Sequence, residues 1–209
     1  MTLSDAQIDR YSRQIILPQI GAQGQQRLLQ SAVAVGGDGA LAEVVALYLA
    51  GAGVGRIALQ GIDREALRAA IMDLNPDVEV RFGELGGADL LLLCNGTLAQ
   101  IDRAAASRRP VIAGGDGWLV VASNASICVG CGARAAIASA AVASTSDLDS
   151  PARGVIGSLM ALAAVKFLVG IGDPPRHAWL RFDPPRSALT EHPFERAADC
   201  PTCANARSV

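Results

Sequence analysis

Ala32-Val33-Ala34-Val35-Gly36-Gly37-Asp38-Gly39-Ala40-Leu41-Ala42 is the stretch on which the fold turns. Ala32 to Val35 reads as a compact apolar strand. A glycine loop follows, and an apolar helix then runs from about Ala40 to Ala50. Gly37-x-Gly39-x-x-Ala42, between a strand and a helix, is the Rossmann-type arrangement with alanine in third place. The first glycine allows the tight turn, and the second lets a phosphate approach the N–H groups of the helix N-terminus. Ala42 allows close packing of helix on strand. Two features oppose a nucleotide. Asp38 puts a negative charge inside the loop, and the second strand ends Leu59-Gln60-Gly61, with no acid for a ribose hydroxyl. Asp63, two residues on, is a poor substitute. The loop therefore admits two readings. One is a nucleotide site with Gly37, Gly39, Ala42 and Asp63 as contacts. The other is a glycine turn kept for packing.

On both sides of this stretch, helix and strand alternate. Ser4 and Gln7 have capping-box spacing, and Ile8, Tyr11 and Ile15 follow at helical intervals. A second helix is expected over 21–30. Beyond the glycine loop the pattern predicts a strand at 56–60, a helix at 64–74 stopped by Asn75-Pro76, and a strand at 78–82. It then predicts a fully apolar strand at 89–94, a helix at 98–107 and a strand at 110–113. Such alternation argues for an α/β fold, a Rossmann-like, mostly parallel sheet flanked by helices. The second half is less regular. A strand is expected at 118–123 and another at 177–182, between the turns Asp173-Pro174-Pro175 and Asp183-Pro184-Pro185. Residues 134–146 are rich in Ala and Ser and read as a crossover loop. Residues 154–170 read as a helix apolar on nearly every side, buried in the domain or at a subunit interface. The chain is read as one domain over 1–209. Within it, 1–30 form N-terminal helices, 31–123 the Rossmann-like core, and 124–209 the cysteine pairs, crossover loop, interface helix and C-terminal strand.

Composition narrows the function. Of 209 residues, 51% are hydrophobic and 18% charged, which is too apolar for disorder and sufficient for a core. A net charge of −2 gives no pull toward nucleic acid or an anionic membrane, and 4% aromatics make a base-stacking surface poor. The apolar stretch 154–170 is shorter than the roughly 20 residues a bilayer needs. Residues 1–5 show no basic region leading into an apolar run, so the chain is expected to be soluble and cytoplasmic. Of 18 basic residues only Lys166 is a lysine, so any mechanism needing a lysine must use that one.

Cys128-Val129-Gly130-Cys131 and Cys200-Pro201-Thr202-Cys203 are two C-x-x-C knuckles, with residues 132–199 between them. Each presents two thiolates, and together they would complete a closed tetrahedral Zn²⁺ site that pins the C-terminal segment to the body. Redox disulfides are the competing reading. Cys94, in an apolar strand, is expected to be an inert core residue.

Taken together these residues resemble the ThiF/MoeB/HesA superfamily, relatives of ubiquitin-activating enzymes. Arg10-Tyr11-Ser12-Arg13-Gln14 is similar to that family's N-terminal R-Y-x-R-Q, and the loop at Gly37 to its G-x-G-G-L-G. Tyr48 to Gly55, Asn75-Pro76, Gly154 to Leu159 and both cysteine knuckles also match its pattern. The resemblance implies an enzyme that uses ATP and Mg²⁺ to adenylate the C-terminus of a ubiquitin-like sulfur-carrier protein. It implies a homodimer in which Arg13 reaches the partner subunit's nucleotide, and a structural zinc. Against the family pattern, Gly61 replaces the ribose-binding acid. The segment with N-x-x-R-Q and the phosphate-binding lysine is missing after Asp63, and Leu93-Cys94-Asn95-Gly96-Thr97 lacks the metal-side aspartate. No cysteine lies between Gly132 and Arg153, where the family often carries one. No catalytic residue is assigned.

Three functions remain in view. The first is a degenerate family member with a binding or regulatory role. The second is a working adenylyltransferase, in molybdopterin or thiamine biosynthesis, that uses arginines such as Arg56, Arg64 or Arg68. The third is a dinucleotide-binding module. Whether ATP and Mg²⁺ are still held is left open between them.

Overall fold

The computed structural model describes residues 3–37, 39–61, 64–83, 87–122, 128–140, 149–173, 177–197 and 200–206. In chain order the elements are α1 (Asp5–Ile15), α2 (Gly21–Gln30), β1 (Ala32–Gly37), α3 (Gly39–Ala52), β2 (Arg56–Gln60), α4 (Arg64–Leu74), β3 (Glu79–Phe82), β4 (Leu90–Cys94) and α5 (Leu98–Ala106). They continue with β5 (Val111–Gly115), β6 (Trp118–Ala122), α6 (Val129–Ala140), α7 (Asp149–Val169), β7 (Ala178–Asp183), β8 (Ala188–Pro193) and α8 (Pro201–Ala206).

The eight strands form one mixed sheet in the order β3-β2-β1-β4-β5-β6-β7-β8. The first five are parallel, and β5 to β8 are antiparallel. The change of direction comes at Asp116-Gly117, where Gly117 at φ +77° lets β6 fold straight back on β5. The strand order reverses between β1 and β4, so the glycine loop opens at the carboxyl ends of two strands whose connections leave in opposite directions. That crevice is where open α/β sheets bind ligands.

Alternation along the strands builds two large cores and a small alanine cluster of Ala32, Ala34, Ala58 and Ala88. Val33, Val35, Leu59, Leu90, Leu92 and Leu119 pack against α3, α4 and α7. On the other side Val111, Ala113, Trp118, Val120 and Trp179 meet α5, α6 and the four knuckle cysteines. Burying an aliphatic side chain contributes about 1.5–3 kcal/mol, so α3, with Leu41, Val45 and Leu49 buried, is the principal packing element of the first core.

The expected capping box of α1 is present, with the Gln7 N–H donating to Ser4 Oγ at 3.3 Å and the Ser4 N–H to Gln7 Oε1 at 3.1 Å. Three expectations need correction. Residues 134–140 belong to α6 and not to a loop, because the first core-facing turn of that helix is anchored on the sheet; residues 141–148 lie outside the described residues. The antiparallel strand β8 follows the 183–185 turn, with a mostly exposed edge sequence that carries no apolar alternation. The long helix begins at Asp149, five residues before the expected start. By length and composition alone Pro151–Val169 could cross a membrane. In this fold it packs on α3 and β5 and buries Ile156, Met160 and Ala164 in the core.

Tyr11 ties α1 to the amino ends of β2 and β3. Its hydroxyl donates to Asp77 Oδ2 at 3.0 Å and accepts from Asn75 Nδ2 at 2.9 Å, and Asn75 Nδ2 also donates to the Ala50 carbonyl at 2.7 Å. Burial pushes the Tyr11 phenol up to about 12, and the Asp77 carboxylate acts in the same direction against the opposing Asn75 bond. An unfolded tyrosine ionises near 10, so this stabilisation is complete below pH 10 and is lost as pH rises from 10 to 12. Urea unfolding of wild type and Tyr11→Phe across that window is expected to show the wild type losing roughly 1–2 kcal/mol more than the variant. Parallel curves would show that the phenol is not held neutral by the fold.

Candidate metal centre and nucleotide crevice

Both knuckles have the same local architecture. Cys128 immediately precedes α6 and Cys200 immediately precedes α8, while Cys131 and Cys203 lie in the first turns of those helices. A C-x-x-C pair at a helix start aims both sulfurs one way, and the unpaired N–H groups there favour negative charge. The Sγ atoms of Cys128, Cys131, Cys200 and Cys203 all lie within 4.8 Å of one another, and all four residues are buried. Cys128 and Cys200 are 3.7 Å apart and Cys131 and Cys203 3.6 Å. A tetrahedron with metal–sulfur bonds of about 2.3 Å has edges of about 3.8 Å, so the donor set fits a four-coordinate metal ion with no open position. No disulfide joins any two of these four cysteines.

Burial pushes the Cys128 thiol up and the Cys131 thiol up to about 11. Burial acts upward on Cys200 too. There the Cys203 and Thr202 N–H groups, with the Cys131 and Cys128 thiols, more than offset it and hold the group below its usual value. The Ala197 N–H donates to Cys131 Sγ at 3.3 Å, the kind of outer contact that orients a ligand sulfur.

Around the knuckles lies a polar bridge that the sequence does not reveal. Arg134 on α6 forms a bidentate pair with Asp102 on α5, at 2.8 and 2.6 Å. The Asp102 carboxyl is held below its ordinary range, chiefly by the Arg134 hydrogen bonds. Arg134 Nη1 also donates to the Gly130 carbonyl at 3.1 Å, and Thr202 Oγ1 to Asp102 Oδ1 at 3.3 Å. No pattern marks these residues in sequence, because three separate elements supply them.

At the other candidate site the glycines have packing reasons for being glycine. Gly37 has φ +116°, and a Cβ there would run into the Cys94 carbonyl of β4. Gly61, where the family resemblance leads one to expect an acid, has φ +79°, and a Cβ there would stand 3.1 Å from the Gly37 carbonyl. That position therefore borders the loop. Ala42 is fully buried, as expected for close helix–strand packing. Gly39 has φ +69° with open space around it. Asp38 and Asp63 lie outside the described residues. Arg13 is exposed on α1, whose Tyr11 anchor is at the amino ends of the strands, so one chain does not bring Arg13 to the glycine loop. Burial pushes the Cys94 thiol up to about 12, in keeping with an inert core residue.

A model of the ThiF family matches residues 11–66. The sulfur carrier protein ThiS adenylyltransferase of Escherichia coli (strain K12) is 31% identical over 244 aligned positions, covering 96% of this chain and 97% of that protein. The chain belongs to the ThiF family. The alignment is longer than the 209 residues of this member, so its relative has stretches that it lacks. The adenylyltransferase and sulfurtransferase MOCS3 of Drosophila yakuba is 30% identical over 225 positions; this ThiF-family chain spans half the length of that protein. Among solved structures, E. coli MccB with ATP superposes at a TM-score of 0.73 with 17% identity, covering 93% of this chain and 73% of that one, a likeness of fold.

Cys128→Ser or Cys200→Ser is expected to lower bound metal from about one equivalent per chain to less than half, by elemental analysis of the purified protein. Full metal content in both variants would remove the four-thiolate site.

Proposed function

We propose that this ThiF-family protein keeps the fold and a structural zinc but no longer adenylates efficiently, and that it acts as a binding or regulatory partner for a ubiquitin-like sulfur carrier. The position of its single lysine carries this reading. Gly157, in the third turn of α7, lies against Val44 and the Leu41 carbonyl in the first turns of α3, beside the glycine loop. Lys166 is nine residues farther along. At 1.5 Å per residue that is about 14 Å away, toward the end of α7 that meets α2, where Arg27 donates to the Val169 carbonyl. Its ammonium cannot reach a phosphate at the loop. Phosphoryl chemistry depends on cations that offset developing charge, and losing one such group costs on the order of 10²-fold or more. The α3 N-terminus remains to favour an anion, so ATP and Mg²⁺ are proposed at most as weakly held ligands.

Zinc is proposed because four buried thiolates in a closed tetrahedron suit it. Cys128, Cys131, Cys200 and Cys203 would hold it, and its contribution would be structural, tying α8 to α6.

The second reading, a working adenylyltransferase, draws support from the 31% identity with a ThiS adenylyltransferase along nearly its full length. Arg56 does not serve it, since it donates to the Gln30 carbonyl at the amino end of β2. Arg68, over the Phe82 ring at the carboxyl end of β3, is on the appropriate side of the sheet. ATP–pyrophosphate exchange with sulfur-carrier proteins from the same organism separates the two readings. The expected result is carrier binding without exchange above background. Clear exchange, lost in Arg68→Ala, would establish the second reading instead.

A homodimer is proposed as well. Tyr48 on α3 and Leu162 on α7 are 59% and 55% exposed. Leu162 also borders a cavity of about 550 Å³ between α7 and the β6–β7 floor, lined by Leu119, Val121, Phe167 and Leu180. Large apolar side chains left open on packed helices support burial against a second copy. Light scattering is expected to give twice the chain mass, reduced to one chain by Leu162→Glu; a monomeric wild type would refute the dimer.

A further inference from the structure

We propose that the Arg134–Asp102 pair clamps the two cysteine knuckles together, so that the four sulfurs are held near their ligating geometry before a metal ion enters. The inference rests on the reading of the cysteines as a zinc site. The two residues between each pair of cysteines are ordinarily spacers, yet here one spacer of each knuckle engages the same ion pair. Gly130, inside the first knuckle, accepts from Arg134 Nη1 at 3.1 Å. Thr202, inside the second, donates to Asp102 Oδ1 at 3.3 Å. Arg134 and Asp102 close the circuit through two short hydrogen bonds, the shorter at 2.6 Å. Three helices, α5, α6 and α8, thus meet at one guanidinium–carboxylate fork, whose planarity fixes direction as well as distance.

Gly130 supplies an independent observation. A Cβ at that position would stand 2.8 Å from Asp102 Oδ1, 3.1 Å from Arg134 Nη1 and 3.4 Å from Thr202 Oγ1. Any side chain there would wedge into the bridge where its three polar groups converge. Gly130 does not need its flexibility for a left-handed turn, since it lies within α6. The space the bridge occupies accounts for a glycine in α6 where alanine is the better helix former.

The pair touches no sulfur. It is a positioning device that acts on the ligands through their own knuckles, and as a neutral unit it adds no net charge beside the thiolates. It would slow metal loss, because a sulfur that lets go remains within reach of the ion. Outer contacts of this kind typically govern 10- to 100-fold in metal affinity.

The test uses the zinc-loaded full chain as wild type, Arg134→Met, Arg134→Lys, Asp102→Asn and Gly130→Ala. Zinc release into excess 4-(2-pyridylazo)resorcinol is followed by absorbance well below the unfolding temperature, with far-UV circular dichroism confirming the fold. Arg134→Met, Asp102→Asn and Gly130→Ala are expected to release zinc about 10- to 100-fold faster than wild type. Arg134→Lys, which keeps the charge, is expected to recover part of the loss. In Co²⁺-substituted chains the visible ligand-field bands are expected to shift in Arg134→Met, a signature that mere loss of global stability would not move. A wild type that holds zinc, with variants releasing it at the wild-type rate, overturns the clamp and leaves the zinc reading intact. A wild type that binds no metal overturns both.

Discussion

Four buried sulfurs converging within 4.8 Å are the constraint on which the second half of this molecule depends. Thiolates so close repel one another, and neutral thiols make only weak hydrogen bonds, so a bound cation would turn the cluster from a liability into a fastening. The cluster does more than close a site. The cysteines are themselves part of the core beneath the sheet, alongside Trp118, Val120 and Trp179. Without the fastening, α8 would be a helix of six residues, far too short to persist alone. The place of Pro201–Ala206 is therefore decided at the knuckles.

Packing in the same way accounts for Gly37 and Gly61 without reference to a nucleotide. Gly37 must be glycine because the Cys94 carbonyl of the neighbouring strand occupies the place of its side chain, and Gly61 closes over the Gly37 carbonyl from the other side. These demands come from β1 being paired on both edges, with β2 and β4. They would hold with or without a phosphate. What phosphate chemistry needs in addition is charge, and the one lysine lies far along α7. Packing and catalysis thus place separate demands on one motif, and the packing demand is the one visible in this chain.

Much of the fold was legible because periodicity reports burial directly. The amphipathic spacing of Ile8, Tyr11 and Ile15, the capping box at Ser4, and the apolar strands expected at 32–35 and 89–94 all led to elements that are observed. Residues 134–140 were misread because alanine and serine carry no apolar stripe. Their helix is held by the anchoring of Cys128 and Cys131 and by the seating of Gly132 against Val120 and Phe194. The edge strand β8 carries no sequence signal for a related reason. An edge strand can be polar throughout, since only its backbone is needed to pair with β7.

Residue type and spacing alone gave the family-like order of elements, the two cysteine knuckles and the presence of a single lysine, Lys166. Each of these is a property of residue type and spacing, which survive any folding. The tertiary structure alone shows that Arg134, Asp102, Gly130 and Thr202 form one bridge, and that Lys166 lies about 14 Å along α7 from Gly157, which packs beside the glycine loop. It also decided that Arg13 is far from the glycine loop of its own chain. These are relations between groups on different elements. Distance in space between such groups is set by how helices pack on a sheet, and no local pattern of residues encodes it.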